Sequence, residues 1–237
     1  MSNTASSPAA TMNRMYRYTR HVYDASRWYY LLGRDELIER MAEREAGAVL
    51  EIGCGTARNL IQLHQRTPEL DLYGLDAADV MLDTAHRNVE RAGCVEQVQL
   101  AQGLAQDLNP EASFGRHGPF DAVFFSYALS MMPSWPGAID AALTYVKPGG
   151  RLYIVDFWDQ AELPRWCRTL LRRWLALFGV HFRPALHAYL RGWATRHGAA
   201  LTIEPIARRY AYLATLERPA AAGNGGQRFG NRIMMAS

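Results

Sequence analysis

"VLEIGCGTARNL", residues 49–60, runs from an apolar strand pattern through two glycines into a helical pattern. It sets an acid, Glu51, two residues before Gly53, with Gly55 two further on. Glycines belong where a chain turns sharply from strand to helix and a ligand must lie against bare backbone. The spacing bears on which ligand. A dinucleotide fingerprint reads G-x-G-x-x-G, its third glycine letting the helix pack close behind a pyrophosphate; that position here is Arg58. A pyrophosphate site, and with it a dinucleotide oxidoreductase, is disfavoured.

Outward from this turn, short apolar runs at 48–53, 71–76, 98–103, 120–128 and 151–157 alternate with segments long enough for one crossover helix each. Such alternation predicts an α/β fold, a parallel sheet with helices on both faces. "LTIEPIARRYAYLATLER", 201–218, reads as two β runs joined by a short turn, an antiparallel hairpin that closes the sheet at seven strands. The expected organisation is a disordered leader at 1–12, an N-terminal helical lid at 13–47, the sheet domain at 48–219 with an amphipathic insertion at 160–185, and a disordered tail at 220–237.

Composition narrows the class. A chain of 237 residues that is 49% hydrophobic can bury a full core. A net charge of +3 gives no argument for nucleic acid as a partner. Cys54, Cys94 and Cys167 are far apart without C-x-x-C spacing, and His21, His181, His187 and His197 have no ligand spacing, so no metal is expected. The polar N-terminus has no secretory h-region, and no run approaches the roughly 20 apolar residues of a membrane span. A cytoplasmic location is expected; the oligomeric state is not legible.

The 49–60 stretch resembles motif I of the class I S-adenosylmethionine-dependent methyltransferases, E/D-x-G-x-G-x-G, departing from it at Ala57. The resemblance implies a Rossmann-like, mostly parallel seven-stranded sheet and S-adenosylmethionine as cofactor, with Glu51, Gly53 and Gly55 in its site. Asp76, at the end of the second strand and about 20 residues past the glycines, is where an acid can accept from both ribose hydroxyls, with Ala77 beside it. In "QGLAQDL", 102–108, Leu104 stands where the family often has an Asp for the adenine amino group, so adenine contact is expected from backbone at Leu104 and Ala105, or from Gln106. "YVKPGGRLYIVDF", 145–157, resembles the family's Pro-Gly-Gly turn and fifth strand. Ser126, within the fourth strand run, joins Tyr23, Tyr30 and Arg34 of the opening stretch to complete the expected cofactor set.

Four stretches resemble one family more closely: "YDASRWYYLLGRDELI" (23–38), "VLEIGCGTARNL", "SYALSMMPSW" (126–135) and "VDFWDQAELPRW" (155–166). That family is the N-methyltransferases that convert diacylglyceryl homoserine to its trimethylated betaine lipid. The resemblance implies successive methyl transfers to a lipid amine. Other readings are an N-methyltransferase for phosphatidylethanolamine or a small amine, and a non-catalytic adenosylmethionine-binding module.

Placed on a helix, Tyr23 and Tyr30 share a face with Arg27 and Arg34, where an arginine could meet a carboxylate of cofactor or headgroup. The product's fixed positive charge suits aromatic faces, drawn from Tyr23, Trp28, Tyr29, Tyr30, Tyr127, Trp135 and Trp158. Tyr127, Asp156 and Asp159 sit at strand ends as candidate proton acceptors, and the sequence does not choose among them; Tyr127 and Asp156 are taken as the catalytic pair. In "LPRWCRTLLRRWLALF", 163–178, Leu163, Trp166, Cys167, Leu170, Leu171, Trp174 and Phe178 follow one helical face and four arginines the other. Tryptophans opposite arginines suit an anionic membrane surface, so the expected lipid partner would be met peripherally, on the inner face of the cell membrane.

Overall fold

The computed structural model describes residues 31–177 and 180–221. The chain runs α1 (Arg34–Arg44), β1 (Ala48–Ile52), α2 (Arg58–Arg66), β2 (Asp71–Asp76), α3 (Asp79–Ala92), β3 (Val98–Gln102), a 3₁₀ turn (Ala105–Asp107) and α4 (Pro110–Phe114). It continues through β4 (Phe120–Ser126), α5 (Trp135–Tyr145), β5 (Val146–Phe157), α6 (Arg165–Leu177), α7 (Pro184–His197), β6 (Ala200–Ile206) and β7 (Ala211–Glu217).

One seven-stranded sheet results, in the order β3-β2-β1-β4-β5-β7-β6. Strands β1 to β5 pair in parallel, while β7 is antiparallel to both its neighbours. β1 is buried along its whole length, as a central strand covered on both faces must be. Its side chains divide by parity: Val49 faces a core with Leu60 and Leu63 of α2 and Leu82 of α3, while Leu50 and Ile52 face Ile139 of α5 and Leu190 of α7. Helices therefore cover both faces in three layers. Gly74, between β1 and β3, leaves room that the layers use: a Cβ there would stand 2.7 Å from Leu100 and 2.8 Å from Leu60.

The order reverses between β1 and β4, and in open sheets of this kind a ligand crevice forms at the carboxyl ends flanking that reversal. Two expectations need correction. The lid boundary at residue 47 is misplaced, because Leu37, Ile38 and Met41 of α1 are fully buried in the core; residues 13–30 lie outside the described part. The fourth strand stops at Ser126 rather than at 128, because Tyr127 turns to φ 55°. The Pro-Gly-Gly turn lies inside β5, and α7 follows the amphipathic insertion as a second helix. The leader at 1–12 lies outside the described residues, as does the tail from 222 on.

Candidate cofactor site

The glycine turn is held from below by β2. The amides of Gly53 and Cys54 donate to the carbonyl of Leu75 at 2.7 and 3.1 Å. Asp76 then receives two more amides, Gly55 on Oδ2 at 2.8 Å and Ala78 on Oδ1 at 2.9 Å. Both carboxylate oxygens of Asp76 thus fix the turn, and each is of a type that can accept more than one donor. Glu51 is buried beneath the turn, its Oε1 accepting from Asn59 Nδ2 at 2.6 Å.

Gly53 has φ 79°, and a Cβ on it would stand 2.7 Å from that of Ala128. The turn thus presses against the loop after β4, and only a glycine fits. That loop is shaped by Asp156: Oδ2 accepts from the amide of Ser130 and Oδ1 from its neighbour Phe157, both at 2.8 Å. Burial pushes the Asp156 carboxyl up to about 6, against the downward pull of those amides. Tyr127 is buried, donates its hydroxyl to the carbonyl of Leu32 at 2.5 Å, and has its pKa raised well above the ordinary value by burial. Burial likewise raises the Cys54 thiol and leaves it neutral.

Two cavities meet at Gly53 and Ser126. One is a narrow slot between Asp76 and Ala77 on one side, Gly103 and Ala105 below, and Met131 and Met132 opposite. The other is polar, about 600 Å³, and includes Arg34, Glu51, Arg58, Gln62, Thr84 and Asn88 in its walls. At their junction the buried Ser126 Oγ has no hydrogen-bond partner among the described residues. A diol acceptor, a Cβ-free turn, thioether walls and a polar compartment suit a ligand with a ribose, a flat base and a charged amino-acid end.

Of the expected site residues, the structure brings together Arg34, Glu51, Gly53, Gly55, Asp76, Ala77, Ala105, Ser126 and Tyr127 around these cavities. Leu104 lines neither; it precedes the 3₁₀ turn, its carbonyl accepting from Asp107, and Gly103 and Ala105 form the floor on either side. Asp156 also lines neither, since its carboxylate faces backbone amides, so its place as a catalytic acid or base is corrected to one of holding the loop. Asp159 is paired with Arg209, and that guanidinium lies 4.6 Å over the ring of Trp158. Trp135 packs edge-on against Tyr189. Tyr23 and Tyr30 lie outside the described residues. Sequence reasoning missed Asn59, Met81, Gly103, Met131 and Met132. Asn59 carried a signal, a side-chain amide on the first helical turn after a buried acid; the methionines carried none beyond their apolar character. Among the described residues no group of His, Cys, Asp and Glu could hold a metal ion, and no helix is long and apolar enough to cross a membrane.

Residues 49–150 match a family model described as a methyltransferase domain. Over 165 residues the chain is 28% identical to trans-aconitate 2-methyltransferase of Deinococcus radiodurans, covering 70% of this chain and 56% of that one. Over 141 residues it is 29% identical to demethylmenaquinone methyltransferase of Geobacillus kaustophilus, covering 59% and 53%. The chain thus spans about half the length of these relatives. Among solved structures, an O-methyltransferase family protein from Burkholderia thailandensis superposes with a TM-score of 0.66 at 19% identity, over 90% of this chain and 64% of that one. The fold is therefore that of the class I methyltransferases, and S-adenosylmethionine is the cofactor that goes with it. None of these three proteins is named for an amine acceptor, so the N-methyl specificity has no support from them.

Proposed function

We propose that this chain is an S-adenosylmethionine-dependent N-methyltransferase that methylates the amine of a lipid headgroup in successive rounds, with diacylglyceryl homoserine as the acceptor. The observation that carries this reading is the chemistry of the wall where slot and polar cavity meet. Its acids, Glu51 and Asp76, are engaged in hydrogen bonds, and Tyr127 is a buried, neutral phenol. Such a wall aligns reactants but offers little to deprotonate them. An amine needs to present a neutral nitrogen and point its lone pair, the ammonium left by each of the first two transfers losing its proton to solvent before the next, whereas a phenol or carbon acid must lose a proton at the site.

Bound S-adenosylmethionine supplies an electrophilic methyl group. The chain's own residues do the rest. Asp76 would hold the ribose hydroxyls, Ala77 and Ala105 would line the space for the base, and the bare backbone of Gly53 and Gly55 would leave room for the amino-acid end. Arg34, buried in the polar wall, suits a carboxylate of cofactor or headgroup. Burial of the acceptor favours its neutral form. Tyr23, Trp28, Tyr29 and Tyr30, whose aromatic faces the sequence reading assigns to the cationic product, lie outside the described residues.

A second reading has an observation of its own. Arg34 and Arg58 share the polar cavity, and a carboxylate is a nucleophile that needs no base, so a small polycarboxylate is also a candidate acceptor. Incubation with labelled S-adenosylmethionine separates the readings. Label in diacylglyceryl homoserine, distributed over mono-, di- and trimethyl products, is expected. Label in trans-aconitate alone would favour the carboxylate reading, label in phosphatidylethanolamine alone would replace the headgroup, and label in none would overturn the enzyme.

A further inference from the structure

We infer that the outer face of α6 is a docking surface for a bilayer carrying anionic headgroups. The helix is anchored on one side only. Leu175 is buried, and Leu171 and Trp174 pack on the core. One turn apart on another side, Trp166 is 71% exposed and Leu170 is 65% exposed. The single apolar face read from the sequence is therefore split into an inward part and an outward part.

The charges that α6 itself carries are of one sign. The α6 sequence, RWCRTLLRRWLAL, contains no acid. Arg172 is used internally: Nη2 donates to the carbonyl of Asp159 at 2.8 Å, and Nε to Gln160 Oε1 at 3.2 Å. Arg165, Arg168 and Arg173 make no salt bridge among the described residues. Arg173 follows Trp166 and Leu170 at i+7 and i+3, in the same stripe. Two apolar side chains are far too little for a protein interface, which covers about 800 Å² on each partner. They suffice for shallow insertion between lipid headgroups when cations lie beside them, with arginine stems lying along the apolar zone and their heads at phosphates.

The placement also suits a lipid acceptor. α6 follows the carboxyl end of β5, and the segment after it is tied to the slot's wall: the amide of His181 donates to the carbonyl of Ser130 at 3.0 Å, and Arg183 Nη2 to that of Met132 at 2.9 Å. A membrane held by α6 lies beside the loop that bounds the cofactor slot. The inference rests on the lipid reading for its purpose, but vesicle binding and methyl transfer are measured separately, so either can fail alone.

The test is co-sedimentation of the full chain with phosphatidylcholine vesicles, with and without phosphatidylglycerol. Binding is expected only to the phosphatidylglycerol vesicles and should be released by salt. Arg165→Gln and Arg173→Gln should each weaken it about fivefold, and Trp166→Ala/Leu170→Ala by about tenfold or more. Calorimetric binding of S-adenosylhomocysteine should be unchanged in all of them, which establishes that they fold. The inference is overturned if the wild-type chain sediments with neither vesicle, or if the folded variants bind as it does. It is also overturned if the double variant abolishes a dimer seen by sedimentation velocity, or if vesicle binding appears only after residues 1–30 are deleted; the occupant would then be a second copy or that segment.

Discussion

Gly53 sits in the left-handed region with Ala128 against it, so it is the residue where the cofactor turn tolerates least. Gly53→Ala is expected to cost about 1–3 kcal/mol by urea denaturation and to abolish S-adenosylhomocysteine binding by calorimetry. Four positions on, Ala57 stands where motif I has its last glycine and is itself at φ 61°, so the departure visible in the sequence is one the backbone tolerates at some strain. Asp156 makes the pH-dependent prediction. Its folded pKa is raised from 3.8 to about 6, so between those values the unfolded chain ionises while the folded chain holds its proton. Its contribution to stability therefore falls as pH rises through that window and levels off above it. Asp156→Asn should lack that slope in a series of urea midpoints. It should also lose about 1–3 kcal/mol near neutral pH, because one carboxamide oxygen cannot serve two buried amides. Nothing in "VDFWDQ" distinguished a carboxylate that faces a ligand from one that faces the next loop; that depends on which side of β5 the loop returns.

At the scale of elements, the strand runs and the hairpin were legible because buried parallel strands are continuous apolar runs and the glycine turn marks the first of them. The ends were not. The β6–β7 turn uses three consecutive non-glycine residues at positive φ, Ala207, Arg208 and Arg209, which no turn signal announces. Arg209 gains from this by reaching Asp159 and Trp158. Arg208 is exposed, so Arg208→Gly should relieve the backbone and stabilise the fold by about 0.5–1 kcal/mol at most, seen as a small rise in the thermal midpoint. The helix α1 was misread for a related reason: its aromatic and arginine-rich approach suggested a cover, while the inward stripe Leu37, Ile38 and Met41 makes it part of the core.

For the whole molecule, that placement sets where the chain can be cut. Deleting residues 1–30 should leave a cooperative thermal transition while methyl transfer is lost, if those residues carry the aromatic faces assigned to them. Deleting 1–47 removes three fully buried side chains, each contributing about 1.5–3 kcal/mol, and should leave no cooperative transition. The glycine turn and Asp76 were readable because they lie in one contiguous motif and one strand end; the rest of the cavity walls draws on α1 and the loop after β4, which only the folded topology brings together. The strand order has a last consequence, in biosynthesis. β7 fills the lane between β5 and β6, so the last in chain order of the described strands completes the interior of the sheet. Until residues 211–217 have left the ribosome, β5 presents an apolar edge with no partner, and β6 has nothing to pair with. This side of the sheet therefore closes only after synthesis reaches β7. Chains stopped short of residue 211 should be caught by chaperones or aggregate through that open edge.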